Sequence, residues 1–208
     1  MNLKLVFLVI LFLLYFAHDA GLSWFFKRRY RKDDNFMGRN APDEVQRYFG
    51  KVVYLVMAYY LLVLVSLATG FDFWGLISDM TLLNKPPFQF GGFALGTAFL
   101  SLMTLARLNL GASWRVGLDQ STSDGLVTHG FYRYIRNPYF TFLMAFESSL
   151  ILISPNTVVI AAAIQSMLLL GLQARQEELF LEQKYGEPYR EYRKRTGRFL
   201  PGFLGMRG

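Results

Sequence analysis

Five apolar runs govern what this chain can fold into. Residues 3–26, 52–70 and 90–108 are each able to cross a hydrocarbon core of about 30 Å, which takes roughly 17–25 residues of helix. Two shorter runs, 138–153 and 157–171, are separated only by Ser154-Pro155-Asn156, a turn signal that reverses the chain at once. They predict an antiparallel helical hairpin with Pro138 at the first position of its first arm, a place that suits proline. The expected fold is an all-α membrane protein of about five transmembrane helices, followed by an interfacial amphipathic helix. All 208 residues then form one integral membrane domain. Residues 1–107 hold three N-terminal spans and a basic loop, 27–51, and residues 108–208 hold a further loop, the hairpin and a tail.

Composition agrees, since 53% hydrophobic residues with 20 Phe and 12 Tyr exceed what a soluble domain of this size needs. The absence of cysteine excludes disulfides, thiolate metal sites, catalytic thiols and palmitoylation. With only His18 and His129 besides, no metal is expected. The net charge of +7 is not laid out as a groove with interleaved stacking aromatics, so no nucleic-acid partner is expected. Basic residues flank the apolar runs instead: eight fall in 27–51, four in 107–137 and eight in 173–208, against Lys4 and Lys85 on the other side. Short cytoplasmic segments carry such an excess, which puts the N-terminus outside and the C-terminus in the cytoplasm. The first part of the first run, Leu3 to Ala17, resembles a signal peptide in length, but His18 and Asp19 follow it without a small-x-small cleavage site, so the run reads as a retained helix. Gly92 and Gly96 form a small-xxx-small pair that predicts close helix packing.

Two segments hold the polar residues that topology leaves unexplained, the loop 123–140 and the tail 175–202. Because the hairpin turns immediately, both of its ends return to one membrane face, which sets Arg136 and Asn137 beside Glu177 and Glu178. Gly125 and Gly130 permit close backbone approach to a ligand, and Tyr132, Tyr134 and Tyr139 supply flat amphipathic faces. Such a surface suits an adenine ring or a sulfonium, and equally an interfacial aromatic belt with basic anchors. Glu177 and Glu178 are expected to open the tail helix, where acidic residues favour the helix dipole, with Leu179, Phe180 and Leu181 forming an apolar side at the interface. Glu147 lies about nine residues into the fourth span, at a cost of roughly 2–3 kcal/mol for a carboxylate at that depth. It is either a functional group facing a wet cavity or a hydrogen-bonded packing residue, with His18, Asp19 and Gln165 as candidate partners.

Taken together, these segments resemble the isoprenylcysteine carboxyl methyltransferase and phospholipid methyltransferase superfamily of membrane enzymes. The resemblance covers residues 108–202 and is carried by Leu110-Gly111-Ala112-Ser113-Trp114, by Gly125-Leu126-Val127-Thr128-His129-Gly130-Phe131-Tyr132, by Arg136-Asn137-Pro138-Tyr139, by Glu177-Glu178, and by Tyr185-Gly186-Glu187-Pro188-Tyr189 through Thr196-Gly197-Arg198 and Pro201. It implies a helical bundle in which S-adenosyl-L-methionine binds a cytoplasmic pocket while a lipophilic or lipidated substrate enters from the bilayer. By the same resemblance Val127, His129, Gly130, Tyr132, Asn137, Pro138 and Glu177 line the cofactor pocket, and Arg136 and Glu178 lie nearest the transferred methyl. Trp114, Glu147 and Arg198 are the candidate substrate contacts. One departure stands out: the family usually has Arg-His-Pro where this chain has Arg136-Asn137-Pro138, and Asn keeps a donor and an acceptor but cannot titrate.

The expected reaction is in-line methyl transfer, for which alignment alone contributes roughly 7–11 kcal/mol. A carboxylate acceptor would suit the guanidinium fork of Arg136, whereas an amine would first have to lose a proton, so the expected acceptor is a carboxylate or thiol. Ethanolamine-lipid N-methylation is the first alternative. An NADPH-dependent sterol or steroid reductase, with loop 27–51 meeting the extra phosphate, and a non-catalytic scaffold anchored to anionic lipid are the others.

Overall fold

The computed structural model describes residues 2–30, 44–71, 75–111 and 125–202, and these are almost wholly helical. In order they form α1 (Leu3–Tyr30), α2 (Glu44–Thr69), α3 (Pro86–Leu110), α4 (Pro138–Ile153), α5 (Thr157–Tyr185) and α6 (Glu187–Arg195), with a 3₁₀ turn over Gly130–Arg133 before α4. Among the described residues α1, the Lys51–Thr69 part of α2, α3 and α5 are long and apolar enough to cross a membrane, and α4 is a shorter apolar helix of 16 residues. The chain is an all-α integral membrane protein, as its apolar runs predict.

Helix ends follow local chemistry. Pro138 opens α4 as expected. The Asn156 side chain caps α5 by accepting from the amides of Val158 and Val159 at 3.1 and 3.0 Å. Lys27, Arg28 and Arg29 end α1, where cations suit both the helix dipole and the membrane edge. One boundary differs from expectation. The second hairpin arm does not stop near Gly171 and hand over to a new helix, because α5 runs unbroken to Tyr185 and places Glu177 and Glu178 in its interior. A lone glycine costs a helix only about 1 kcal/mol, and the flanking Leu, Gln, Ala and Arg are strong helix formers. The break comes at Gly186, whose φ of +61° is open to glycine. The amphipathic tail helix is therefore the nine-residue α6.

The hairpin arm α4 packs between α3 and α5, while α1 lies on α3 and α2 on α5. Leu8, Leu11, Val63, Met103, Leu150, Ile153, Val159 and Ala162 meet in a fully buried core. Gly92 and Gly96 let α3 and α4 approach closely: a Cβ on Gly92 would sit 2.7 Å from the Ser149 carbonyl oxygen, and one on Gly96 2.8 Å from Ser149 Oγ. That is the close packing the small-xxx-small pair predicts.

Candidate active site

The reversal at Ser154–Asn156 returns both arms to the same end of the bundle, and a second device ties the tail to them. Residues 135 and 197 pair as a short parallel bridge. The Arg136 amide donates to Gly197 O at 2.8 Å, the Asn137 amide to Arg198 O at 3.1 Å, and the Gly197 amide to Tyr134 O at 3.3 Å. Glycine is needed at 197, since a Cβ there would collide with the Leu200 carbonyl. Thr141 Oγ1 adds a bond to Phe199 O at 2.9 Å. The segment before α4, the end of α5 and the stretch after α6 are thereby locked into one unit.

At its centre a single carboxylate holds two guanidiniums. Glu178 Oε1 accepts from Arg136 Nε at 3.0 Å and from Asn137 Nδ2 at 3.0 Å. Arg198 grips the same carboxylate side-on, Nη2 to Oε2 at 2.9 Å and Nε to Oε1 at 3.1 Å. The Arg136 and Glu178 side chains are each 6% exposed, whereas that of Arg198 is 39% exposed and reaches water. Arg136 Nη1 donates to Arg193 O at 3.1 Å and also to Thr196 O. Of the five guanidinium hydrogens only the Nη2 pair has no partner among the described residues. This revises the expectation of a two-nitrogen fork presented to substrate, because Nε and Nη1 are already committed. Asn137 fills the family's histidine position as a donor to carboxylate, a task an amide performs without titrating.

Beside this cluster lies the loop that runs into α4. The 3₁₀ turn is pinned at its start by Asn109, whose Oδ1 accepts from the Phe131 amide at 3.0 Å, and a Cβ on Gly130, at φ +59°, would collide with that side chain. Tyr132 is buried, and its carbonyl accepts from Tyr192 OH at 2.7 Å, which ties the loop to α6. Burial, with the Glu177 carboxylate beside it, pushes the Tyr132 phenol well above its ordinary range. Glu177 is half-buried and accepts from Gln173 Nε2 at 3.1 Å. Val127 is half-buried, while His129 and Gly130 are exposed. A half-open cavity of about 570 Å³, the size of a small-molecule site, lies between this loop and α6 and is lined by residues that include Thr128, Arg133, Tyr192 and Arg195.

Of the residues singled out from sequence, the structure gathers Arg136, Asn137, Glu178 and Arg198 into direct contact, sets Glu177 next to Tyr132, and buries Pro138 at the start of α4. Trp114 lies outside the described residues. Glu147 stands ten residues along α4 from Asn137, and its partner is the Ser166 hydroxyl at 2.7 Å, in place of His18, Asp19 or Gln165. Asp19 instead meets Arg107, a fully buried guanidinium that donates to Asp19 Oδ1 at 3.0 Å and to Ser23 Oγ at 2.9 Å. Sequence reasoning missed this pair, although a cation inside an apolar span announces a need for a partner, and Asp19 and Ser23 at i, i+4 share one face of α1. It also missed Tyr189, wholly buried under the ion cluster, and the Arg193 and Thr196 carbonyls that hold Arg136.

The profile of the phospholipid methyltransferase family matches residues 89–188, which contain α4, α5, the loop and most of α3. No curated protein matches the chain in sequence. Among solved structures, a eukaryotic intramembrane Ras methyltransferase, isoprenylcysteine carboxyl methyltransferase, superposes with a TM-score of 0.57 at 18% identity, over 96% of this chain and 69% of that one. At that identity it is the fold that is shared. The phospholipid methyltransferase profile thus lies on the segment that carries Arg136, Asn137 and Glu178, inside a fold shared with an integral membrane methyltransferase.

Proposed function

We propose that this enzyme methylates a lipophilic acceptor on a carboxylate oxygen, with S-adenosylmethionine as the donor, at the cytoplasmic face of the membrane. The observation that carries the acceptor class is the charge of the cluster: two guanidiniums share one carboxylate, so Arg136, Arg198 and Glu178 together leave one positive charge in a largely buried setting. An anion is the complementary acceptor, and the Nη2 edge of Arg136 is the donor left to meet it. A guanidinium offers only donors, and Glu178 is saturated with donors, so this cluster offers no base to deprotonate an amine.

The cofactor presents a ribose diol, an ammonium and a carboxylate, and the donor set fits it. Glu177, half-buried and steadied by Gln173, offers carboxylate oxygens to hydroxyls or an ammonium. Val127, His129, Gly130, Tyr132, Asn137 and Pro138 are assigned to the cofactor side by the family resemblance. S-adenosylmethionine supplies an electrophilic methyl on sulfonium sulfur: in-line attack forms the O–CH3 bond of a methyl ester as the S–CH3 bond breaks and its electron pair stays on sulfur. Within that reaction Arg136 orients the acceptor oxygen and Glu178 holds Arg136, so that alignment is set before the acceptor arrives. Trp114, Glu147 and Arg198 are assigned to the acceptor side. The Lys and Arg excess at this end of the spans supports the cytoplasmic placement, with the N-terminus outside.

A second reading, N-methylation of an ethanolamine lipid, is favoured by the family whose profile matches. Protein in nanodiscs, given S-adenosylmethionine labelled in the methyl group, separates the two. Label in a farnesylated cysteine or a fatty acid that base releases as methanol supports the carboxylate reading. Label confined to phosphatidylethanolamine overturns it.

A further inference from the structure

Ten residues beyond Asn137 along α4, about 15 Å at 1.5 Å per residue, the bundle contains a second polar group that the ion cluster does not use. Glu147 is 7% exposed. One of its oxygens accepts from Ser166 on α5 at 2.7 Å, and the other is shut off from solvent with no partner among the described residues. Tyr60 on α2, also 7% exposed, carries a hydroxyl in the same condition and lies within electrostatic reach of Glu147. Tyr15 on α1 stacks on Phe146, the neighbour of Glu147 in sequence, at 5.7 Å. Three helices, α2, α4 and α5, thus contribute Tyr60, Glu147 and Ser166 to an otherwise apolar core, and leaving a buried donor or acceptor unmatched costs about 1–3 kcal/mol, more for a charged one.

We infer that Glu147 and Tyr60 form a binding site for a hydroxyl group carried by the lipophilic acceptor, set back about 15 Å from its methyl-accepting end. A hydroxyl matches both orphans at once, since it donates to Glu147 Oε2 and accepts from Tyr60 OH. The inference deepens the methyl-transfer reading and rests on it for the position of the reactive end. It separates acceptors with a polar group inside the chain from bare isoprenyl or alkyl chains, which would leave both orphans unmatched. Ser166 holds Glu147 in place and leaves its second oxygen for the ligand.

The test compares ω-hydroxylaurate with laurate, whose extended chains have roughly this reach of 15 Å. Binding of each labelled acid to protein in nanodiscs is measured for the parent, Tyr60→Phe and Glu147→Gln. The parent should favour the hydroxylated acid at least tenfold over the ratio shown by Tyr60→Phe, a comparison that cancels the difference in bilayer partition. Tyr60→Phe removes an unmatched hydroxyl, so it keeps the assay interpretable if Glu147→Gln folds poorly. Equal ratios in the parent and in Tyr60→Phe overturn the inference. The same acids offered as methyl acceptors test the other reading separately: binding preference without ester formation removes the acceptor assignment and leaves the hydroxyl site, whereas ester formation without preference does the reverse.

Discussion

Exchanging Glu178 for Gln tests the centre of the cluster with almost no change of shape. The carboxylate accepts from three side chains, Arg136, Asn137 and Arg198, and Gln would keep one oxygen while turning an NH2 toward groups that are themselves donors. Breaking a buried pair by removing one partner costs about 3–5 kcal/mol. The lower end applies here, because Arg198 is 39% exposed and can turn to water, and because Arg136 keeps the Arg193 and Thr196 carbonyls. A loss of about 3 kcal/mol in alignment of Arg136 corresponds to roughly a hundredfold fall in kcat/KM. The assay is transfer of labelled methyl to the best acceptor at saturating S-adenosylmethionine, with thermal unfolding followed in parallel. Glu182→Gln is the control. Its carboxylate meets Arg193 at 3.3 Å and Arg190 at 4.0 Å, arginines 40% and 50% exposed, a kind of pair worth about 0–1 kcal/mol, so its transfer rate should stay within about threefold. If Glu178→Gln transfers methyl within about threefold of the parent, the shared carboxylate does not position Arg136 and the assignment fails.

Arg136→Lys should lose about a hundredfold or more in transfer while still inserting into membranes, because one ammonium cannot reach Glu178, Arg193 O and Thr196 O together; activity within tenfold would reduce Arg136 to an anchor. Gly92→Ala should destabilise by about 1–3 kcal/mol, since the new Cβ meets a backbone carbonyl that cannot move aside. Gly91→Ala, next to it with nothing within 4 Å, should be neutral or stabilising by up to about 1 kcal/mol, and thermal unfolding in detergent reads both. Burial pushes the phenols of Tyr132, Tyr189 and Tyr192 above the ordinary value of 10.0. The unfolded chain then sheds protons that the folded one keeps, so the stability they confer is complete below pH 10.0 and is lost as the pH rises beyond it toward the folded-state values. Phenolate absorbance from these three should appear together with loss of helix; phenolate formation in the intact fold would refute the burial argument.

The hairpin was legible because its signals are local. Ser154-Pro155-Asn156 forces a reversal and Pro138 suits a helix start, and together they predict the observed bounds of α4 and the start of α5. The same reversal implied that Arg136, Asn137 and Glu178 meet, 41 and 42 positions apart in sequence. The end of α5 was not legible, because hydropathy marks the edge of the membrane while helix continuation depends on propensity, and nothing between Gly171 and Tyr185 breaks a helix. Arg107 and Asp19, 88 positions apart, carry no periodic signature that names one as the partner of the other. Neither does Ser166, one position from the candidate Gln165, since a one-residue step turns a helical side chain by about 100° and decides which of the two faces Glu147.

The unequal arms of the hairpin explain why the cluster lies where it does. With 16 residues α4 is about 24 Å long, short of a core of about 30 Å, whereas the 29 residues of α5 span about 43 Å. Backbone groups at the turn need partners within the protein. They find them in the segment after α2: the Met80 amide donates to Pro155 O at 2.7 Å, the Thr157 amide to Ser78 O at 3.1 Å, and Thr157 Oγ1 to Leu76 O at 2.6 Å. Lys4 fixes that segment in turn, through Asp79 at 2.7 Å. With the turn held there, Asn137 lies about 24 Å and Glu178 about 32 Å along their helices from it, and across that offset of about 8 Å Arg136 and Asn137 both reach Glu178 at 3.0 Å. Lengthening α4 by one turn adds about 6 Å and rotates the segment before it by about 40° about the helix axis, which parts Arg136 and Asn137 from the carboxylate that both now meet at 3.0 Å. Insertion of four alanines after Ile151 should accordingly abolish methyl transfer, and transfer within about tenfold of the parent would show that the register of α4 does not set the pair.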